Sequence, residues 1–116
     1  MKELIELLKI KNGYFEKLLL LNKSFRSKMQ AGDFNDMELF EYNRKKVINI
    51  IEYFDKKIAV LTEKVPQNTQ WSSEARHQVE FLLDKKNDLV KEIIGVDLDI
   101  LQMIDKEKDK TIASLK

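Results

Sequence analysis

From Ser72 to the C-terminus the chain runs for about 45 residues without a proline, and its apolar residues recur at a fixed interval. Val79, Leu82, Leu89, Ile93, Val96, Ile100 and Met103, with Lys86 at its place in the series, are separated by alternating steps of three and four. Those steps return every member to one face of an α-helix, along a seam that a second helix can grip. A helix over 72–114 would be roughly 60 Å long at about 1.5 Å per residue. Two earlier stretches share this character but hold only about 30 residues each. The last element is therefore expected to be longer than its neighbours.

The first helix is predicted over 2–30, where Leu4, Leu7, Leu8, Ile10, Tyr14, Phe15, Leu18, Leu21, Phe25 and Met29 make one broad apolar face. Gly13 interrupts it at a cost of about 1 kcal/mol relative to alanine. Ala31-Gly32-Asp33 reads as a stop and restart. Gly32 suits a left-handed C-cap, and Asp33 or Asn35 can accept from the free amides that follow. So short a connection folds the second helix back beside the first. That helix is predicted over 35–64, with Met37, Phe40, Val47, Ile51, Phe54, Ile58, Leu61 and Val65 at three-and-four spacing and Arg44 within the series. Pro66 ends it, and Val65–Ser73 is the one stretch composed like a loop. Ser72 or Ser73 then serves as N-cap of the third helix. The fold class is all-α: one domain over 1–116, an elongated bundle of three long antiparallel helices.

Composition agrees with helices and excludes several functions. Charged residues make up 35% of the chain and hydrophobic ones 43%, with three glycines and one proline. The formal net charge of +1 gives no global field for nucleic acid or an anionic membrane. Without cysteine there are no disulfides, catalytic thiols or thiolate metal sites. The longest apolar run, Leu18–Leu21, is far short of the ~20 residues that span a bilayer. The N-terminus alternates charge with apolar residues and is not a signal-peptide core. The sequence reads as that of a soluble, cytoplasmic protein with no membrane insertion.

No catalytic constellation can be read. His77, the single histidine, has neither a histidine-kinase nor a phosphotransfer motif around it and reads as a surface residue. Asp97, Asp99, Asp105, Glu107 and Asp109 alternate along a helix, so they diverge and read as a solvated face with no metal. Glu38 and Glu41 have no partner arrangement resembling a catalytic carboxylate pair. Asn43–Lys46 is the densest basic cluster, but helical spacing spreads it around the axis and no aromatic residue is interleaved with it. The reading is no enzyme, no cofactor and no nucleic acid. Trp71 reads as either a clamp over the bundle end or a contact residue, the clamp being the commoner arrangement. Asn22, Arg44 and Lys86 interrupt apolar series; such residues either fix register or lay their stems along the rim, the second being the safer reading for Arg44 and Lys86.

The length mismatch supplies a candidate site. The third helix runs parallel to the first and reaches the level of the Gly32 turn near Ile100, leaving ~16 residues, about 24 Å, without an intramolecular neighbour, unless the last turns fray or the loop sets the helix back and shortens the overhang. The apolar residues of Ile94 to Leu115 are the expected partner surface: Ile94, Leu98, Leu101, Met103, Ile104, Ile112 and Leu115.

Taken together, the leucine-rich first helix, the turn QAGDFNDM, an arginine about eleven residues after its Gly-Asp, and DLDILQMIDKEKDKTIASL near the end resemble the FlgN/FliT class of flagellar export chaperones. The resemblance covers nearly the whole chain. It implies a non-catalytic cytoplasmic chaperone that binds an amphipathic terminal segment of a hook-associated or filament-cap protein and delivers it to the type III export apparatus. The chain departs from that class in showing no clean break before a separate C-terminal helix, Gly95 being the one candidate hinge. The competing expectation is a coiled-coil homodimerisation or scaffold module in which the overhangs pair with each other.

Overall fold

The computed structural model describes residues 1–66 and 69–115; Gln67 and Asn68 of the expected loop, and Lys116, lie outside the described residues. Three helices follow one another: α1 (Lys2–Gln30), α2 (Met37–Glu63) and α3 (Ser73–Leu115). The molecule measures 67 × 21 × 18 Å. With 43 residues, α3 alone spans its long axis.

The turn between α1 and α2 is built from hydrogen bonds that the two helix ends would otherwise leave unmade. Gly32 adopts φ +86°, and its N–H donates to the Met29 carbonyl (2.9 Å) while that of Asp33 donates to Lys28 (2.9 Å). This is a Schellman closure, which needs a left-handed residue at the position of Gly32. Neither Asp33 nor Asn35 caps α2, contrary to expectation. The Asp33 carboxylate accepts from the Asn35 backbone N–H (3.0 Å), forming an Asx turn. Asp36 occupies the N-cap without a side-chain cap bond and pairs with Lys28 (3.0 Å). The second helix therefore starts at Met37 and not at Asn35. Ser72 does cap α3, its Oγ accepting from the Ala75 N–H (3.1 Å).

Of the three helices, α1 is the hub. It packs against both others, whereas among the described residues no Cα of α2 comes within 8 Å of one in α3. Along the antiparallel α1–α2 pair, Phe25 stacks on Phe40 with ring centroids 4.0 Å apart, Tyr14 stacks on Phe54 at 5.8 Å, and Lys11 pairs with Asp55. Along the parallel α1–α3 pair, Glu16 meets Lys85 (2.9 Å), Lys23 meets Glu92 (3.4 Å) and Arg26 meets Asp99 (2.9 Å).

The larger apolar cluster draws Leu18, Leu19, Phe25 and Met29 from α1, Phe40 and Ile51 from α2, and Ile93, Val96 and Ile100 from α3. A second, at the opposite end, joins Leu4, Ile5 and Leu8 to Leu82, with Trp71, Val79 and Leu61 packed over it. Trp71 thus takes the clamp position. Between the clusters the buried Asn12 donates to the Leu82 carbonyl (3.0 Å). The helix α3 passes through Gly95 unbroken, so the candidate hinge is an interior helical residue.

The overhang is shorter than its sequence length suggests. Met103 and Ile104 do not project beyond the bundle; they are half-buried and pack on the larger cluster, as do Phe34 of the turn and Met37 of α2. The six-residue turn and its Phe34 extend the α1–α2 hairpin past the end of α1 and cover the next turn of α3. Only Lys108 to Leu115 is exposed at every residue, about half the expected length.

Candidate partner-binding face

What α3 presents outward follows from how its rotation about its own axis is fixed. Leu82, Leu89, Ile93, Val96 and Ile100 enter the core. Lys85, Glu92 and Asp99, spaced by seven, reach α1 along one flank. On the opposite flank Asp97 reaches α2. With core and both flanks engaged, one face of α3 has no intramolecular use.

At its centre that face is apolar, while the exposed Asn87 interrupts it before Ile94 and the exposed Asp105 and Lys108 interrupt it after Leu101. Ile94 (52% exposed), Leu98 (54%) and Leu101 (56%) follow one another at steps of four and three, which keeps them in one stripe. Leu83, eleven residues before Ile94, and Ile112, eleven after Leu101, fall on the same face and are exposed too. Leu115, 83% exposed, ends the stripe. Five of the seven residues expected from the sequence, Ile94, Leu98, Leu101, Ile112 and Leu115, therefore share an open stripe, while Met103 and Ile104 turn inward. Leu83 belongs with it and was missed because the expected site began at Ile94. The signal was present in the sequence: Leu83 lies eleven residues, three helical turns, before Ile94 and so falls on the same face.

A polar clasp holds this arrangement at mid-height. The Asn22 side chain, 0% exposed, donates from Nδ2 to Asp97 Oδ1 (2.7 Å), and Arg44 Nη2 donates to Asp97 Oδ2 (3.0 Å). One residue from each helix thus meets at a single carboxylate. The reading of Asp97 and Asp99 as a solvated face is overturned: Asp97 is half-buried on Asn22 and Arg44, and Asp99 is bound to Arg26 (2.9 Å). Arg44 likewise does more than lie along the rim, because its guanidinium crosses to α3 where the backbones stay apart. Ion-pair partners in the two flanking helices draw these acids inward, which spacing along one helix could not reveal.

At the end of the bundle a shallow cleft of about 330 Å³ lies between the turn and α3, lined by Phe34, Met37, Ile104, Glu107, Lys108, Thr111 and Ile112. Its walls are largely apolar and continue the stripe at Ile112. No protein-family model, curated protein or solved structure matches the chain. The chemistry is therefore read from the side chains alone. His77 is exposed on α3, and no group of three or more His, Cys, Asp or Glu residues is gathered for a metal ion among the described residues. None of the described helices is long and apolar enough to cross a membrane. An exposed stripe on a rigid helix, held in rotation by the ion pairs behind it, can bury a second amphipathic helix.

Proposed function

We propose that the protein is a non-enzymatic, cytoplasmic chaperone that holds an amphipathic terminal segment of a client protein along α3 until the client is exported. The observation that supports this most is the unpartnered stripe Leu83, Ile94, Leu98, Leu101 and Ile112 on one face of the longest helix. Each of these side chains is about half exposed, so covering it contributes about 1 kcal/mol, roughly half the value for full burial. Ordering the client segment costs several kcal/mol, which leaves affinity in a moderate, releasable range. The terminal cleft at Phe34, Met37 and Ile112 offers a place for one larger anchoring side chain.

The resemblance to the FlgN/FliT class makes a hook-associated or filament-cap protein the proposed client and the type III export apparatus the proposed destination. Isothermal titration with the terminal helical peptides of such proteins tests the reading. Binding by one peptide, weakened about tenfold or more in Leu98→Ser/Leu101→Ser, is the expected result. Light scattering coupled to size exclusion over a hundredfold concentration range tests the competing scaffold reading. A stable dimer that the same double substitution dissociates would replace the chaperone with self-association.

A further inference from the structure

On the other side of the molecule α2 carries a second exposed stripe of different chemistry. Leu39, Tyr42, Lys46, Asn49, Tyr53, Lys57, Val60 and Lys64 follow one another at steps of three and four, and every one of them is exposed. The stripe contains three lysines and no acid; along one border Glu38, Glu52 and Glu63 alternate with Lys45 and Lys56, and Glu41 and Asp55 lie farther round the helix. It points away from α3. Arg44, which crosses to Asp97, is two residues from both Tyr42 and Lys46, and so about 200° round the helix from each.

The aromatic rings on this face are interleaved with the lysines, contrary to what the segment Asn43–Lys46 suggests by itself. Lys46 Nζ stands 5.3 Å from the Tyr42 ring centre and Lys57 Nζ 5.2 Å from that of Tyr53. Tyr53 meets Phe54 edge-on (5.4 Å), Phe54 stacks on Tyr14 of α1 (5.8 Å), and Lys17 stands 4.8 Å from the Tyr14 ring. This run of rings links Lys17 and Tyr14 of α1 to Tyr53 of the α2 stripe.

We infer that this face docks the protein on an anionic lipid surface. Lysines and tyrosines alternate along some 40 Å of helix, the pattern that lets an amphipathic surface rest in a headgroup layer with ammonium groups at the phosphates and rings at the boundary. Leu39 and Val60 add apolar contact near its two ends. A single-stranded nucleic acid fits less well, since it asks for a groove that follows the backbone and α2 presents a ridge. A partner helix would find Lys46, Asn49 and Lys57 at the centre of its interface, where a fully buried apolar anchor is needed. A lipid surface accepts such a ridge because the lysines stay hydrated.

Vesicle co-sedimentation of the full chain tests this. The expected result is binding to phosphatidylcholine vesicles with about one third phosphatidylglycerol, none to phosphatidylcholine alone, and loss of binding at high salt. Lysines near an anionic surface are worth about fivefold each, so Lys46→Gln/Lys57→Gln lowers the partition coefficient about thirtyfold. Tyr42→Ala/Tyr53→Ala is expected to weaken binding while leaving its salt dependence in place. Both positions are exposed, and an unchanged helical circular dichroism signal confirms that each variant is folded. Leu98→Ser/Leu101→Ser retains vesicle binding, which keeps this inference separate from the client reading on α3. Equal binding to neutral vesicles, no change in the lysine variant, or binding to single-stranded DNA or polyglutamate with none to anionic vesicles would each overturn it.

Discussion

Removing the Asp97 carboxylate should expose how much the fold depends on the clasp. In Asp97→Ala, Asn22 loses its one hydrogen-bond partner at a position with 0% exposure, and its Oδ1 already lacks a donor. An unsatisfied buried amide costs about 1–3 kcal/mol. The half-exposed pair with Arg44 adds no more than about 0.5–1 kcal/mol. The expected loss is therefore about 2–3 kcal/mol, or about 10 °C in Tm at roughly 4 °C per kcal/mol for a chain of this size. Urea unfolding followed by circular dichroism at 222 nm measures it. Asn22→Leu introduced into Asp97→Ala should restore most of the stability, because replacing both partners by apolar groups avoids the penalty. A cost below about 0.5 kcal/mol for Asp97→Ala, or no rescue by Asn22→Leu, would refute the reasoning: water would then be satisfying the carboxamide.

Leu98→Ser/Leu101→Ser, which changes only exposed residues of the stripe, should shift unfolding free energy by less than about 1 kcal/mol in the same urea assay. A chain ending at Lys110 should keep the stability of the full chain, whereas one ending at Ile100 loses Met103 and Ile104 from the core and about 2–4 kcal/mol with them. Thermal unfolding of the two truncations distinguishes this from a bundle that ends at Ile100. Gly95→Ala meets nothing within 4 Å of the added Cβ and should stabilise by about 0.5–1 kcal/mol through helix propensity. Gly32→Ala should destabilise by about 1 kcal/mol or more, because φ +86° is strained for any residue with a Cβ.

How much of this was legible follows from the range of the interaction involved. Periodicity is local, and it placed α1 at 2–30 and α3 within a residue of Ser73–Leu115. Turn chemistry is nearly local: Gly32 could be read as a left-handed cap, but the division of labour between Asp33 and Asp36 could not, since it depends on Lys28 across the turn. Outward-facing residues of α3 were recognised where the core was thought to end. Met103 and Ile104 were misplaced because Phe34, a loop residue, reaches them, and helix lengths alone say nothing of what a loop covers. Asp97 is the instructive case. Asn22 and Arg44 were both visible as polar residues in apolar seams, and two such residues on facing helices call for a shared partner, which spacing along α3 alone could not name.

That α1 touches both other helices while α2 and α3 keep their backbones apart has a consequence for synthesis. The first two helices emerge together and can close as a hairpin through the Phe25–Phe40 and Tyr14–Phe54 stacks, all contacts of modest sequence separation. Leu4, Ile5 and Leu8, however, gain their buried partner only with Leu82, and the larger cluster closes only with Ile93, Val96 and Ile100. A nascent chain thus carries a preassembled but open hairpin, its apolar side uncovered, until α3 has left the ribosome. The helix made after the hairpin is the one that seals α1.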